Sequence, residues 1–112
     1  MKNDLTWKEF ERVDIRVGTV VSAEVFAEAI KPAYRLQIDF GELGVRKTSA
    51  QITKLYEPEQ LVGRQVLAVV NFPPKQIANL MSECLVLGAV GTDGEVTLIR
   101  PDSTVMNGLK IG

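Results

Sequence analysis

A chain of 112 residues with net charge −1, 46% apolar and 24% charged, is sized for one domain with a real core, expected to span 1–112 with its core at about 7–110. The absence of histidine removes the usual general base and the commonest metal ligand, and a lone cysteine, Cys84, forms neither an internal disulfide nor a structural zinc site. No run approaches the ~20 apolar residues of a membrane span and no secretory signal opens the chain, so a cytoplasmic protein without membrane insertion is expected.

Residues 1–4 are polar and expected to fray. Thr6-Trp7-Lys8-Glu9 has the form of a capping box, with Thr6 as N-cap and Glu9 returning the hydrogen bond. Trp7, Phe10 and Val13 then share one face of a short helix. Two turns are too few to stand alone in water, so that face must dock either on the body of the protein or across a dimer interface. From Ile15 to Val25 a long strand is expected, with Ile15, Val17, Thr19, Val21, Ala23 and Val25 on one side. Gly18, on the other side, marks a bulge or a bend. Tyr34, Leu36, Ile38 and Phe40 alternate with Arg35, Gln37 and Asp39, the clearest half-buried strand in the chain. After a turn at Gly41–Gly44 comes a polar strand, Val45 to Ile52, with an exposed face. Between Thr53 and Gly63, Lys54-Leu55-Tyr56 reads as a helical turn followed by Glu57 to Val62, with Thr53 or Glu57 as the start of a turn and Gly63 as a stop.

Gln65 to Phe72 is an apolar central strand, and Cys84 to Val90 another. Pro73 and Pro74 between them lack backbone donors and open a connector. Two readings of it stand open. Ile77, Leu80 and Met81 form one helical turn plugging a barrel end, or they tie down a binding surface whose polar groups are Lys75, Gln76, Asn79, Ser82 and Glu83. Asp93-Gly94 signals a hairpin with Glu95–Ile99 as return strand, and Asn107-Gly108 a second tight turn in the tail.

Five or more short strands, one of them long and bent, with helices only at the edges, argue an all-β protein: an OB-fold five-stranded barrel with short peripheral helices. Its binding face is expected on the second and third strands and the adjoining connector. Arg46, Lys47, Lys54 and Lys75 are the candidate phosphate contacts, against the reading of a solvated edge protected by charge. Ser49 and Gln51 are candidates for base edges or sugars, and only Tyr56 and Phe72 remain as stacking platforms. No catalytic dyad, phosphate loop, metal-ligand set or cofactor motif is present, so no enzyme is expected. Trp7 and Phe10 at one end, and Val105, Leu109 and Ile111 at the other, exceed what a barrel of this size buries, and a homodimer through both is expected.

Four segments carry a resemblance: Asp14-Ile15-Arg16-Val17-Gly18, Lys31-Pro32-Ala33-Tyr34, Ser49-Ala50-Gln51-Ile52, and Val69 through Ile77, in that order and followed by Met81-Ser82-Glu83. Together they resemble the CsaA-type tRNA-binding proteins, whose domain is also appended to some methionyl- and phenylalanyl-tRNA synthetases. The resemblance implies an OB barrel, a homodimer, and binding of tRNA by shape and backbone. It also implies an export-related chaperone activity on unfolded polypeptides; alternatively, peptide binding is primary and RNA binding secondary. It supports Ser49, Gln51, Asn71, Lys75 and Ser82 as RNA-binding positions, and a free-standing protein. Two departures stand out: Ala78-Asn79-Leu80 where such sequences usually have Gly-Pro-Phe, and Met106 in place of a usual proline.

Overall fold

The computed structural model describes residues 3–112; Met1 and Lys2, half of the segment expected to fray, lie outside the described residues. Its framework is a five-stranded antiparallel barrel, nearly closed, in the order β3-β2-β1-β4-β7. The strands are β1 (Ile15–Val25), β2 (Tyr34–Asp39), β3 (Val45–Ala50), β4 (Gln65–Val69) and β7 (Leu85–Val86). Two hairpins stand outside that sheet, β5 (Lys75–Ile77) with β6 (Leu80–Ser82), and β8 (Gly88–Val90) with β9 (Val96–Leu98). Helices α1 (Trp7–Glu11) and α2 (Pro58–Leu61) are one turn each.

The barrel curls because β1 serves two neighbours. Its first half pairs with β4, from Ile15↔Val69 to Thr19↔Gln65, and its second with β2, from Thr19↔Asp39 to Val25↔Tyr34. The register shifts between Val20 and Ser22, so Val21 is an extra residue and the faces exchange there. This corrects the expected alternation. Gly18 and Val20 face the barrel interior, Ala23 takes over after the bulge, and Val21 and Val25 are exposed. Gly18 is not the bulge. It is the point where β1 lies closest to the core: a Cβ there would stand 2.6 Å from Ile38 Cγ2 and 2.7 Å from the Phe40 ring.

Tyr34, Leu36, Ile38 and Phe40 are all buried, as the alternation of β2 required, and with Val66, Ala68, Ile52 and Leu61 they form the core. Leu61 reaches it from α2, which starts after Glu57, whose N–H donates to Gln60 Oε1 at 2.7 Å. The helical turn expected at Lys54–Tyr56 is instead an irregular turn, and Gly63, at φ +89°, ends α2. The run Cys84–Val90 is divided at Leu87, so β7 stays with the barrel while β8 leaves it for its own hairpin.

Closure depends on β3. Glu83 N–H donates to Lys47 O at 2.8 Å, Lys47 N–H to Glu83 Oε1 at 3.0 Å, and Thr48 Oγ1 to Cys84 O at 2.7 Å. Thr48 is wholly buried, and its hydroxyl is satisfied by that carbonyl and by Ser82 Oγ at 2.9 Å. The tail covers the edge of β1 that β2 leaves open: Gly108 N–H donates to Val17 O, Val17 N–H to Leu109 O, and Ile111 N–H to Ile15 O. Gly108 sits at φ +92°, and a Cβ there would stand 2.6 Å from Phe40 O, so only glycine fits.

Residues 75–82 form neither a helical turn nor a plug. The hairpin pairs Lys75↔Ser82 through Ile77↔Leu80, and Leu80 packs with Phe26, Ala33, Ile77 and Ala29 in a small second core. Its turn places Ala78 at φ +51°, a conformation suited to the glycine usual there in CsaA-type sequences. Leu80, where those sequences carry phenylalanine, is buried, so that departure removes no exposed stacking ring. Ala78→Gly is expected to raise stability by about 0.5 kcal/mol, strain relief exceeding the added chain entropy. A urea midpoint that falls instead would show that the turn is not strained.

The capping box at α1 forms as expected: Glu9 N–H donates to Thr6 Oγ1 and Thr6 N–H to Glu9 Oε1. The bond from Thr6 N–H, and after it the one the Thr6 hydroxyl donates to Glu9 Oε1 at 2.9 Å, hold the Glu9 carboxyl below its ordinary pKa. The helix does not dock on the barrel: no residue of α1 is buried, and Trp7 is 86% exposed.

Candidate nucleic-acid interface

The exit of β4 is fixed first. Val70 N–H donates to Asp14 O at 2.9 Å, and the Asn71 side chain grips the link between α1 and β1. It accepts from Asp14 N–H at 3.0 Å and donates to Arg12 O at 2.6 Å. Both ends of that amide are engaged, which holds the chain so that Phe72 emerges 56% exposed. Pro73 and Pro74 then carry it, without backbone donors, to the β5–β6 hairpin.

Between the hairpin and β3 lies a groove of about 360 Å³. Ser49, Gln51, Lys75 and Ser82 supply its polar lining, and Phe72, Ile77 and Leu85 much of its apolar wall. Four of the eight candidate RNA-binding residues therefore converge, although they come from β3, its exit, β5 and β6. Lys75 is exposed and has no ion pair among the described residues, so its charge is available to a phosphate. Ser82 Oγ accepts from Ser49 N–H at 3.3 Å and meets Thr48 Oγ1, which fixes its place on the groove wall.

The other four candidates lie elsewhere. Asn71 lines a neighbouring cleft with Arg12 and Glu9, separated from the groove by a shared wall of Phe72, Pro73 and Leu85. Arg46 Nη1 donates to Val70 O at 2.7 Å, bracing β3 against the β4 exit. Lys47 is exposed beside Glu83, with its backbone used in barrel closure. Lys54 Nζ donates to Asp93 O at the β8–β9 turn and does not reach the groove. Of the two candidate platforms, Tyr56 is occupied: the Arg64 guanidinium stacks on it at 5.2 Å and its hydroxyl accepts from Leu98 N–H. Phe72 remains. Leu85 was absent from the expected site, though strict alternation after buried Cys84 places it outward.

Cys84 lies at the groove floor, and burial pushes its thiol up from 9.0 to about 11, with hydrogen bonding to Thr48 and the Arg46 charge opposing. The neutral thiol is therefore favoured in the fold, so its contribution to stability is intact below pH 9 and is lost as pH rises toward 11. Burial also raises the Tyr34 hydroxyl, assisted by Glu57 and Glu59, and acts in the same direction. At pH 8 native Cys84 should alkylate roughly tenfold or more slowly than in denaturant, and equal rates would show an open thiol.

Among the described residues no helix is long and apolar enough to cross a membrane, and no cluster of three or more potential metal ligands occurs. The family described as "Putative tRNA binding domain" matches residues 15–110. Chaperone CsaA from Bacillus anthracis is 53% identical, with a TM-score of 0.93 covering 97% of this chain and 99% of that one. The CsaA chaperone protein from Picrophilus torridus is 50% identical, with a TM-score of 0.91 covering 97% and 100%. Methionine–tRNA ligase from Porphyromonas gingivalis is 39% identical over 108 residues, 96% of this chain but only 16% of the ligase. The matched span and the barrel shared with the two CsaA structures agree: this chain belongs to the tRNA-binding domain family.

Proposed function

We propose that this chain binds tRNA in the groove beside the β5–β6 hairpin, recognising shape and backbone and performing no catalysis. The convergence of Ser49, Gln51, Lys75 and Ser82 around exposed Phe72 carries this reading. Lys75 takes a phosphate, Gln51 and Ser49 take sugar or base edges, and Phe72 stacks an unpaired base. Lys47 and Arg46 add positive charge on β3, while Asn71 acts through the placement of Phe72. Lys54 belongs to an outer contact, if RNA extends that far along the barrel. Filter binding of tRNA at two salt concentrations tests the reading: saturable binding that weakens with salt is expected, and none at low salt sinks it.

A second reading has its own observation. The apolar wall formed by Phe72, Ile77 and Leu85 fits an extended polypeptide, so a chaperone role on unfolded or export-bound chains, like the one named for the CsaA relatives, is the alternative. In either case the exposed Trp7 and Phe10 face, with Val105, Leu109 and Ile111 of the tail, is the proposed contact of a cytoplasmic homodimer. A sedimentation velocity run giving only monomer at micromolar concentration would remove the dimer.

A further inference from the structure

The geometry points to a second binding site, for a phosphate group, in the pocket between the start of β4 and the segment 100–104. It shares no residue with the groove and does not depend on tRNA binding there. The pocket is about 360 Å³, and Arg64, Arg100, Ser103 and Thr104 line it. Its wall is held in place from both ends. Leu98 N–H is fixed to the Tyr56 hydroxyl at 2.9 Å, and the Gln65 amide clasps Val105, donating to its carbonyl at 2.7 Å and accepting from its N–H at 3.1 Å. Pro101 stiffens the segment between these two anchors.

The donors in this pocket are unspent. Neither Arg64 nor Arg100 forms an ion pair among the described residues, and Arg64 Nε is buried without a hydrogen-bond partner. The cation–π contact with Tyr56, 5.2 Å from Arg64 Cζ to the ring centroid, restrains the Arg64 side chain, so less of its freedom remains to be lost on binding. The Ser103 and Thr104 hydroxyls make no hydrogen bond within the described chain, unlike Thr19 on the same wall, which donates to Asn107 Oδ1. Two guanidinium forks with two hydroxyls match the oxygens of a phosphate, which accept bidentate hydrogen bonds from arginine. Asp102 also lines the pocket and opposes an anion, leaving one net positive charge from the three ionised side chains. That opposition makes a test available.

Inorganic pyrophosphate titrated into the 15N-labelled full chain at low salt should give saturable amide shifts at Gly63, Arg64, Gln65, Ser103 and Thr104, with the exposed Glu28, Glu42 and Val90, outside both the pocket and the groove, as internal references. Arg64→Gln and Arg100→Gln should each weaken pyrophosphate roughly tenfold, and Asp102→Asn should tighten it. Arg100 is exposed, so its substitution leaves the core intact. Salt titration of tRNA binding separates the two sources of phosphate. A slope lowered by about 0.7 to 0.9 in Arg100→Gln assigns the site to an RNA phosphodiester. An unchanged slope, with pyrophosphate still bound, assigns it to a free phosphate-bearing molecule. No saturable shift at 63–65 and 103–104, or shifts indifferent to both arginine substitutions, overturns the site whatever happens in the groove.

Discussion

Lys75→Ala should weaken tRNA binding roughly five- to tenfold and lower the slope of log K against log salt by about 0.7 to 0.9. The net charge is −1, so binding rests on few local contacts and the loss of one is visible. Lys75 stands on the groove rim, exposed and without an ion pair among the described residues, which makes its removal a clean test of charge. Gln51→Ala should reduce affinity and leave the slope nearly unchanged, because a neutral amide releases no counterion. Lys31→Ala, exposed on the β1–β2 connector and outside the groove lining, is the charge-matched control. If Lys75→Ala and Lys31→Ala behave alike, RNA does not bind in the groove, and the peptide reading moves ahead.

Gly18→Val should destabilise the fold by about 3 kcal/mol and lower Tm by roughly 10 °C. The atoms a Cβ would meet belong to Ile38 and Phe40, both wholly buried and packed on all sides, so no flexible side-chain end can move away. Domains of this size have only about 5–15 kcal/mol in hand, so the loss is large. A thermal melt within ~2 °C of the parent protein would mean that β1 shifts to make room. The barrel curvature would then rest on the Val21 bulge alone.

Sequence alone determined the features whose causes lie within a few residues. The Thr6–Glu9 box, the Asp93-Gly94 turn and the one-sided burial of Tyr34, Leu36, Ile38 and Phe40 depend on local hydrogen bonding or on strict period 2, and all three stand as expected. The all-β barrel with small edge helices followed from the same signals. Tertiary structure decided the rest. A bulge at Val21 exchanges the faces of β1, and nothing in an unbroken run of small and branched residues marks where it falls. The apolar run at 84–90 is split because its first part, through Leu87 N–H on Leu67 O 20 positions away, stays on β4, while from Gly88 it pairs with β9. Asn71 entered as a candidate through the resemblance alone, and no local pattern shows that its side-chain amide engages Asp14 and Arg12, 57 and 59 positions distant. Ser49, Gln51, Lys75 and Ser82 could be named from type and resemblance, but only the closure of β3 against residues 82–84 brings them to one groove. Separations of that length leave no local periodicity to read, because the pairing is set by which strands meet when the barrel closes.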